Sequence, residues 1–392
     1  MKEAEPVWHN GLAMKIVIAP DSFKGALSAP DAARAIAEGV RRVLPEADTV
    51  ELPIADGGEG TLEALVAATG GTLHTEIVTG PLGKPLSARW GSLGNRETAV
   101  VELAEAAGLT QVPLKQRDPK HTTTAGVGEL VLAAYRQGFR RFIVGLGGSA
   151  TNDGGSGLLT ALGVRFTEAS GLPLAPGGAG LRQLEAVDFS DLLLDPAAVE
   201  LLIACDVDNP LLGPRGASAV FGPQKGAGTE DIALLDSALA RYAEKMNTDP
   251  NLPGAGAAGG TAYGLLALFP QAALRPGIDL VLDAVGFDAR LLDTDLILTG
   301  EGRLDSQTLG GKAVAGVARR AKAAGVPVGV LAGSIGNDVS GATLAQAGIG
   351  AVLPLAPGPC SLPDSIAHTA EWLTDATERA LRWMFLRPPK ID

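Results

Sequence analysis

The stretch Gly145-Leu-Gly-Gly-Ser-Ala-Thr-Asn-Asp-Gly-Gly-Ser-Gly157 governs how the rest of the chain is organised. An apolar run, Phe142 to Leu146, leads into it. A second run with helical spacing, Leu158 to Leu162, leaves it, so the glycines fall where a strand turns into a helix. Six glycines in thirteen residues permit φ > 0 and let peptide N–H groups converge, while Ser149, Thr151 and Ser156 add hydroxyl donors. That is the composition of an anion site. Asp153 stands among these donors and would repel a phosphate unless it holds a cation or takes a proton. The pattern therefore points to phosphate accompanied by Mg2+. A flexible Gly/Ser turn is the bland alternative, although a turn has little use for paired glycines on both sides of a carboxylate.

The same strand, loop, helix grammar recurs outward from this stretch. Lys15 to Ala19 reads as a buried strand ending in Asp21-Ser-Phe-Lys-Gly25, and a helix follows from Ala29 with Ser28 as N-cap, Asp31 at the capping-box position and Pro45 beyond its end. Val50 to Ile54 reads as a second strand, ending in Ala55-Asp-Gly-Gly-Glu-Gly-Thr61 before a helix that runs to Thr69. Near the other end, strands over Asp295 to Thr299 and Val328 to Leu331 end in Gly300-Glu-Gly-Arg-Leu-Asp-Ser306 and Ala332-Gly-Ser334, and a last helix spans Pro363 to Phe385. Between these ends, Thr72 to Leu103 is β-rich, and Leu201 to Cys205 reads as a strand ending in Asp206-Val-Asp-Asn-Pro210. Repeated βαβ units imply a parallel sheet, and the β-rich middle implies a second unit with mixed strands. Apolar runs end in polar clusters at Asp21, Asp56, Gly147, Asp206, Gly300 and Gly333. Ligands of open α/β sheets bind at the carboxyl ends of strands, so the six clusters describe an active-site rim.

A chain of 392 residues exceeds the size of one ordinary core, which sets two domains as the expectation. Aromatics at 4% and a formal net charge of -12 argue against a nucleic-acid partner, which needs a basic footprint and stacking platforms. Cys205 and Cys360 are too few for a disulfide framework, which fits the reducing cytoplasm, and Gly, Pro or charge interrupts every apolar run short of a membrane span. Residues 1–13 read as a disordered leader ahead of Met14. The four histidines lie outside the glycine loops, which disfavours a His-driven hydrolase or a zinc site. No Walker A pattern or protein-kinase signature is present, and Gly145, Gly147 and Ala150 match the Rossmann fingerprint only loosely. Carboxylates, lysines and Gly-rich nests remain, the equipment of phosphoryl transfer.

Five motifs, Ala19-Pro-Asp-Ser-Phe-Lys-Gly-Ala-Leu-Ser28, Ala55 to Thr61, Gly145 to Gly157, Phe221-Gly-Pro-Gln-Lys-Gly226 and Gly300 to Asp305, resemble in matching order those of the bacterial type 1 glycerate kinases. The resemblance implies ATP-dependent phosphorylation of D-glycerate, usually at the 2-hydroxyl. It also implies an α/β fold of two domains: a Rossmann-like parallel-sheet domain from both chain ends, residues 14–73 and 290–388, and an inserted mixed α/β domain, residues 74–289. Within that frame Lys24, Asp21, Asp56 and Arg303 are the expected catalytic set, with Asp21 or Asp56 as general base and Glu301 and Asp305 behind them. Ser22, Gly57, Gly58, Glu301 and Asp305 are expected at the substrate. Gly147, Gly148, Ser149, Thr151, Asn152, Gly154, Gly155 and Lys225 are expected at ATP, and Asp153, Asp206 and Asp208 at Mg2+. For Asp206 and Asp208, alternating along an extended segment, Asx-turn chemistry before Asn209-Pro210 is an equal alternative. A 3-hydroxyl product, another small hydroxy acid, or a nucleotide-binding regulator without catalysis are the rival functions. Oligomeric state is not legible.

Overall fold

The computed structural model describes residues 14–309 and 311–385. The expected leader, residues 1–13, lies outside them, as do the last three residues of the expected 290–388 segment. The strands are β1 (Lys15–Ile18), β2 (Asp48–Glu51), β3 (Thr72–Thr79), β4 (Pro85–Ser92), β5 (Thr98–Glu102), β6 (Arg141–Gly145), β7 (Arg165–Thr167), β8 (Ala186–Asp188), β9 (Glu200–Ala204), β10 (Ala272–Arg275), β11 (Leu296–Leu304), β12 (Val328–Ile335) and β13 (Ala351–Pro354). Two compact units emerge. One contains the described residues up to Asp56, Glu63–Ala68 and those from Val281 onward, and the other contains Gly57–Leu62 and Thr69–Leu280.

The first unit is built on a five-stranded parallel sheet in the order β13-β12-β11-β1-β2, drawn from both ends of the chain. β1 lies between two neighbours and has Ile16, Val17 and Ile18 fully buried, as its unbroken β-branched run requires. The helix Ala29–Val43 begins as read, with the Ser28 side chain accepting from the Asp31 N–H, and buries Ala33, Ile36, Ala37 and Val40. Its Gly39 lets the helix Thr369–Met384 come close: a Cβ there would stand 2.6 Å from that of Thr377.

Three readings of the boundaries change. β11 does not stop at Thr299 but runs through Gly300-Glu-Gly-Arg to Leu304, because β12 is equally extended and pairs with it as far as Leu304↔Ile335. The glycines that read as breakers instead permit close strands, since a Cβ on Gly333 would lie 2.4 Å from the Gly302 carbonyl oxygen. β2 ends at Glu51 rather than Ile54, ahead of Pro53, although the Leu52 and Ile54 N–H groups still donate to the carbonyls of Ile18 and Pro20. The final helix is two, Leu362–Ala367 and Thr369–Met384, separated at His368.

The second unit carries the mixed sheet β10-β9-β6-β5-β4-β3. β3, β4 and β5 pair antiparallel, and β5, β6, β9 and β10 pair parallel. Its core gathers Trp90, Phe142, Tyr242, Tyr263 and Phe269 with leucines from both faces, and β7 and β8 form a separate antiparallel pair.

Candidate active site

In the first unit, β1 and β11 carry the polar groups. The Asp21 N–H donates to the Gly300 carbonyl at 2.9 Å and the Thr299 hydroxyl to the Ala19 carbonyl at 2.6 Å, so the segment after β1 is tied to β11. Phe23 is buried and exchanges backbone hydrogen bonds with Leu27, and the turn between them, with Gly25 at φ 76°, presents Lys24 to solvent. Asp21 is 8% exposed and its Oδ1 accepts from the Ser22 N–H at 2.6 Å. Burial, reinforced by the charge of Asp56, pushes the Asp21 carboxyl up to about 7 against the pull of the Ser22 N–H and Lys24. Glu301, brought onto β11 by the longer strand, is also pushed up to about 7, chiefly by burial, with a hydrogen bond from Thr308 opposing and the Asp21 charge adding. Its Oε1 is buried without a hydrogen-bond partner. Asp305 turns to local work: it accepts from the Gln307 and Thr308 N–H groups at the start of a helical turn and pairs with the exposed Arg303 at 3.2 Å. The first unit thus brings together Asp21, repelled by Asp56, and Glu301, repelled by Asp21, with exposed cations at Lys24 and Arg303.

The opening glycine stretch belongs to the second unit and joins β6 to the helix Ser156–Ala161. Gly148, Gly154 and Gly155 have φ of 72°, 65° and 76°, the left-handed backbone that favours glycine. Asp153 is fully buried at the loop's centre. Its Oδ2 accepts from the N–H and hydroxyl of Thr124, both at 2.9 Å, and from the Gly157 N–H at 3.3 Å; its Oδ1 accepts from the Gly155 N–H at 3.1 Å. An internal carboxylate therefore occupies peptide donors that the sequence offered to a phosphate. Burial pushes Asp153 up and these hydrogen bonds hold it down. Lys225 is buried as well, donates to the Thr151 carbonyl at 2.6 Å, and is pushed down to about 7 by burial, with the Asp153 charge opposing. Asn152 donates to Ser218 at 3.0 Å, while the Asn152 Oδ1 and the Thr151 hydroxyl are buried without partners.

Glu102 was not singled out by the sequence reading. It closes the buried strand β5, its Oε1 accepts from the Gly60 N–H at 3.2 Å and its Oε2 from the Leu62 N–H at 3.1 Å. The signal was present: a carboxylate at the carboxyl end of the apolar run Thr98-Ala-Val-Val, the rule that flagged six other loops.

Asp206 and Asp208 follow β9 without being in a strand, so the alternation that would align them is absent. The Asp206 Oδ1 accepts from the Gly277 N–H at 2.8 Å, and Asp208 is 77% exposed with both oxygens within 3.1 Å of Arg215. With Asp153 enclosed by its donors, these three do not fit a common Mg2+ site. Among the described residues no group of three or more His, Cys, Asp or Glu side chains is arranged to hold a metal. Both cysteines are unpaired, and no described helix is long and apolar enough to cross a membrane.

The sequence pattern of the glycerate kinase family matches residues 16–385. Glycerate kinase of Bacillus subtilis (strain 168) is 50% identical over 365 residues, covering 92% of this chain and 95% of that protein. Glycerate 2-kinase of Escherichia coli (strain K12) is 48% identical over 346 residues, covering 86% and 90%. A crystal structure from Salmonella typhimurium LT2, assigned to glycerate kinase 2, superposes with a TM-score of 0.86 at 46% identity and covers 95% of this chain and 98% of its own.

Proposed function

The chain belongs to the glycerate kinase family, and we propose that it transfers the γ-phosphoryl group of ATP to the 2-hydroxyl of D-glycerate. The observation that carries the reaction type is the group of carboxyls formed by buried Asp21 and half-buried Asp56 and Glu301, with cations at Lys24 and Arg303. A carboxyl held near 7 is ionised in a large share of molecules at neutral pH, yet keeps enough basicity to take a hydroxyl proton. In this reading the Asp21 carboxylate accepts the 2-hydroxyl proton as that oxygen bonds to the γ-phosphorus, the bond to the β,γ-bridging oxygen breaks, and ADP leaves with the electron pair. Lys24 and Arg303 face the anionic charge of glycerate and of the transferring group, and Asp56 keeps Asp21 basic by repulsion. In the first unit Ser22 and Glu301 complete the substrate side, while Asp305 orients Arg303; in the second, Gly57 and Gly58 are the residues we assign to glycerate.

For ATP, the turn Gly147-Gly148-Ser149 and the unpartnered Thr151 hydroxyl are the donors we carry forward. Asn152, Asp153, Gly154, Gly155 and Lys225 act beneath them by keeping the loop rigid. Mg2+ enters as the nucleotide's own counter-ion, and Asp153, Asp206 and Asp208 are not called on to bind it. A cytoplasmic location, where ATP is supplied, is part of this reading. Coupled ADP-release assays over a panel of hydroxy acids, with phosphorus NMR of the product, test the proposal. Absence of turnover with D-glycerate would remove it, and a 3-phosphorylated product would correct its regiochemistry.

A further inference from the structure

The turn Gly57–Leu62 lies across the carboxyl ends of β5, β6 and β9, where Glu102, Gly145 and Ala204 form one row of the sheet. At Gly57, with φ of 88°, an added Cβ would stand 2.7 Å from that of Ala204, and one on Gly147 would stand 2.5 Å from the Gly58 Cα. The front of the turn is therefore seated by backbone against backbone. Its rear is not self-sufficient. The first N–H groups of the helix Thr61–Thr69 lack intrahelical acceptors, and the residue before it, Gly60, has no side chain to cap them. Glu102 supplies the acceptors from 40 residues away, one oxygen to Gly60 and one to Leu62. Thr98, Ala99, Val100 and Val101 fill the core on the same strand with small or apolar groups, and a further apolar side chain would fill volume equally well. A carboxylate at 3% exposure, costly to desolvate, is accounted for by the two amides that it fixes.

We propose that Glu102 is a positioning residue for substrate binding: a buried carboxyl whose two oxygens lock the Gly57–Leu62 turn over the carboxyl ends of β5, β6 and β9. The proposal rests on the reading above that Gly57 and Gly58 face glycerate. With Glu102→Gln, one amide keeps an acceptor and the other faces an NH2 group, so the turn is freed at one end with little change in shape. The expected result is a KM for D-glycerate raised about tenfold, with the KM for ATP within about twofold of the parent. In the parent enzyme the Gly60 and Leu62 amides exchange slowly with D2O, and in Glu102→Gln the 57–62 segment exchanges faster. Equal changes in both KM values, an unchanged KM for glycerate, or unprotected Gly60 and Leu62 amides in the parent would each overturn the assignment. The exchange measurement on the parent stands even if the variant fails to fold. Lack of glycerate turnover by the parent would strike the functional reading, whereas exchange protection tests the clamp separately.

Discussion

The carboxylates of the two units are all withdrawn from solvent, Glu301 least of them, and are partnered differently. In the second unit Asp153 and Glu102 spend their oxygens on peptide N–H groups. In the first, Asp21 draws its hydrogen bonds from its neighbour Ser22 alone, its charge repels Glu301, and one Glu301 oxygen is unpartnered. Desolvation is the largest cause of the upward shift in all four, so the direction of the shift does not by itself separate a structural carboxyl from a reactive one. Partnership does. A carboxylate tied by its oxygens to backbone donors serves the loop it holds, and one crowded by like charge with an oxygen left over is the better placed to take a proton from a ligand.

The largest effect expected is on Asp21→Asn, which keeps shape but removes the base. It should lower kcat at least about a hundredfold while leaving thermal stability intact, as a repelling buried charge is also removed. Near-normal kcat would break the comparison at its centre. Asp153→Ala should act the other way round. Losing the acceptor of three N–H groups and a hydroxyl should destabilise the fold by about 3 kcal/mol in denaturant unfolding, and a variant as stable as the parent would show that the loop needs no internal anion.

Two pH experiments sharpen the contrast. If Asp21 is the base, kcat/KM rises with pH to a plateau above about 7. Asp56→Asn, by removing a like charge, should move that rising limb to lower pH, whatever it does to the plateau. A limb that stays in place would deny the coupling. The smallest effect is on stability. Asp21, Glu102 and Glu301 titrate near 7 folded but near 4 unfolded, so between those values the folded state holds more protons and stability falls as pH rises. Lys225 is lowered to about 7, so above 7 the unfolded state holds the extra proton and stability climbs again toward 10. These groups together place a minimum of stability near neutrality. In Lys225→Met the climb above pH 7 should flatten in thermal melts, and persistence of the climb would assign it to other groups.

The sequence by itself determined where several strands lie, the Ser28 cap and the glycine stretch at a strand-to-helix junction, because these depend on local periodicity, chirality and sterics, whereas the sheet drawn from both chain ends was implied only by the family resemblance. It placed Asp21, Asp56 and Lys24 in polar segments beside strand ends for the same reason. Only the tertiary structure decided that Gly300 to Leu304 is strand, since the deciding bonds come from β12, and that Asp153 faces inward onto Thr124 across 29 residues of chain. Glu102 makes the point most clearly. Its role is set by two amides 40 and 42 residues away, and no pattern within β5 can say which donors a buried carboxylate will meet.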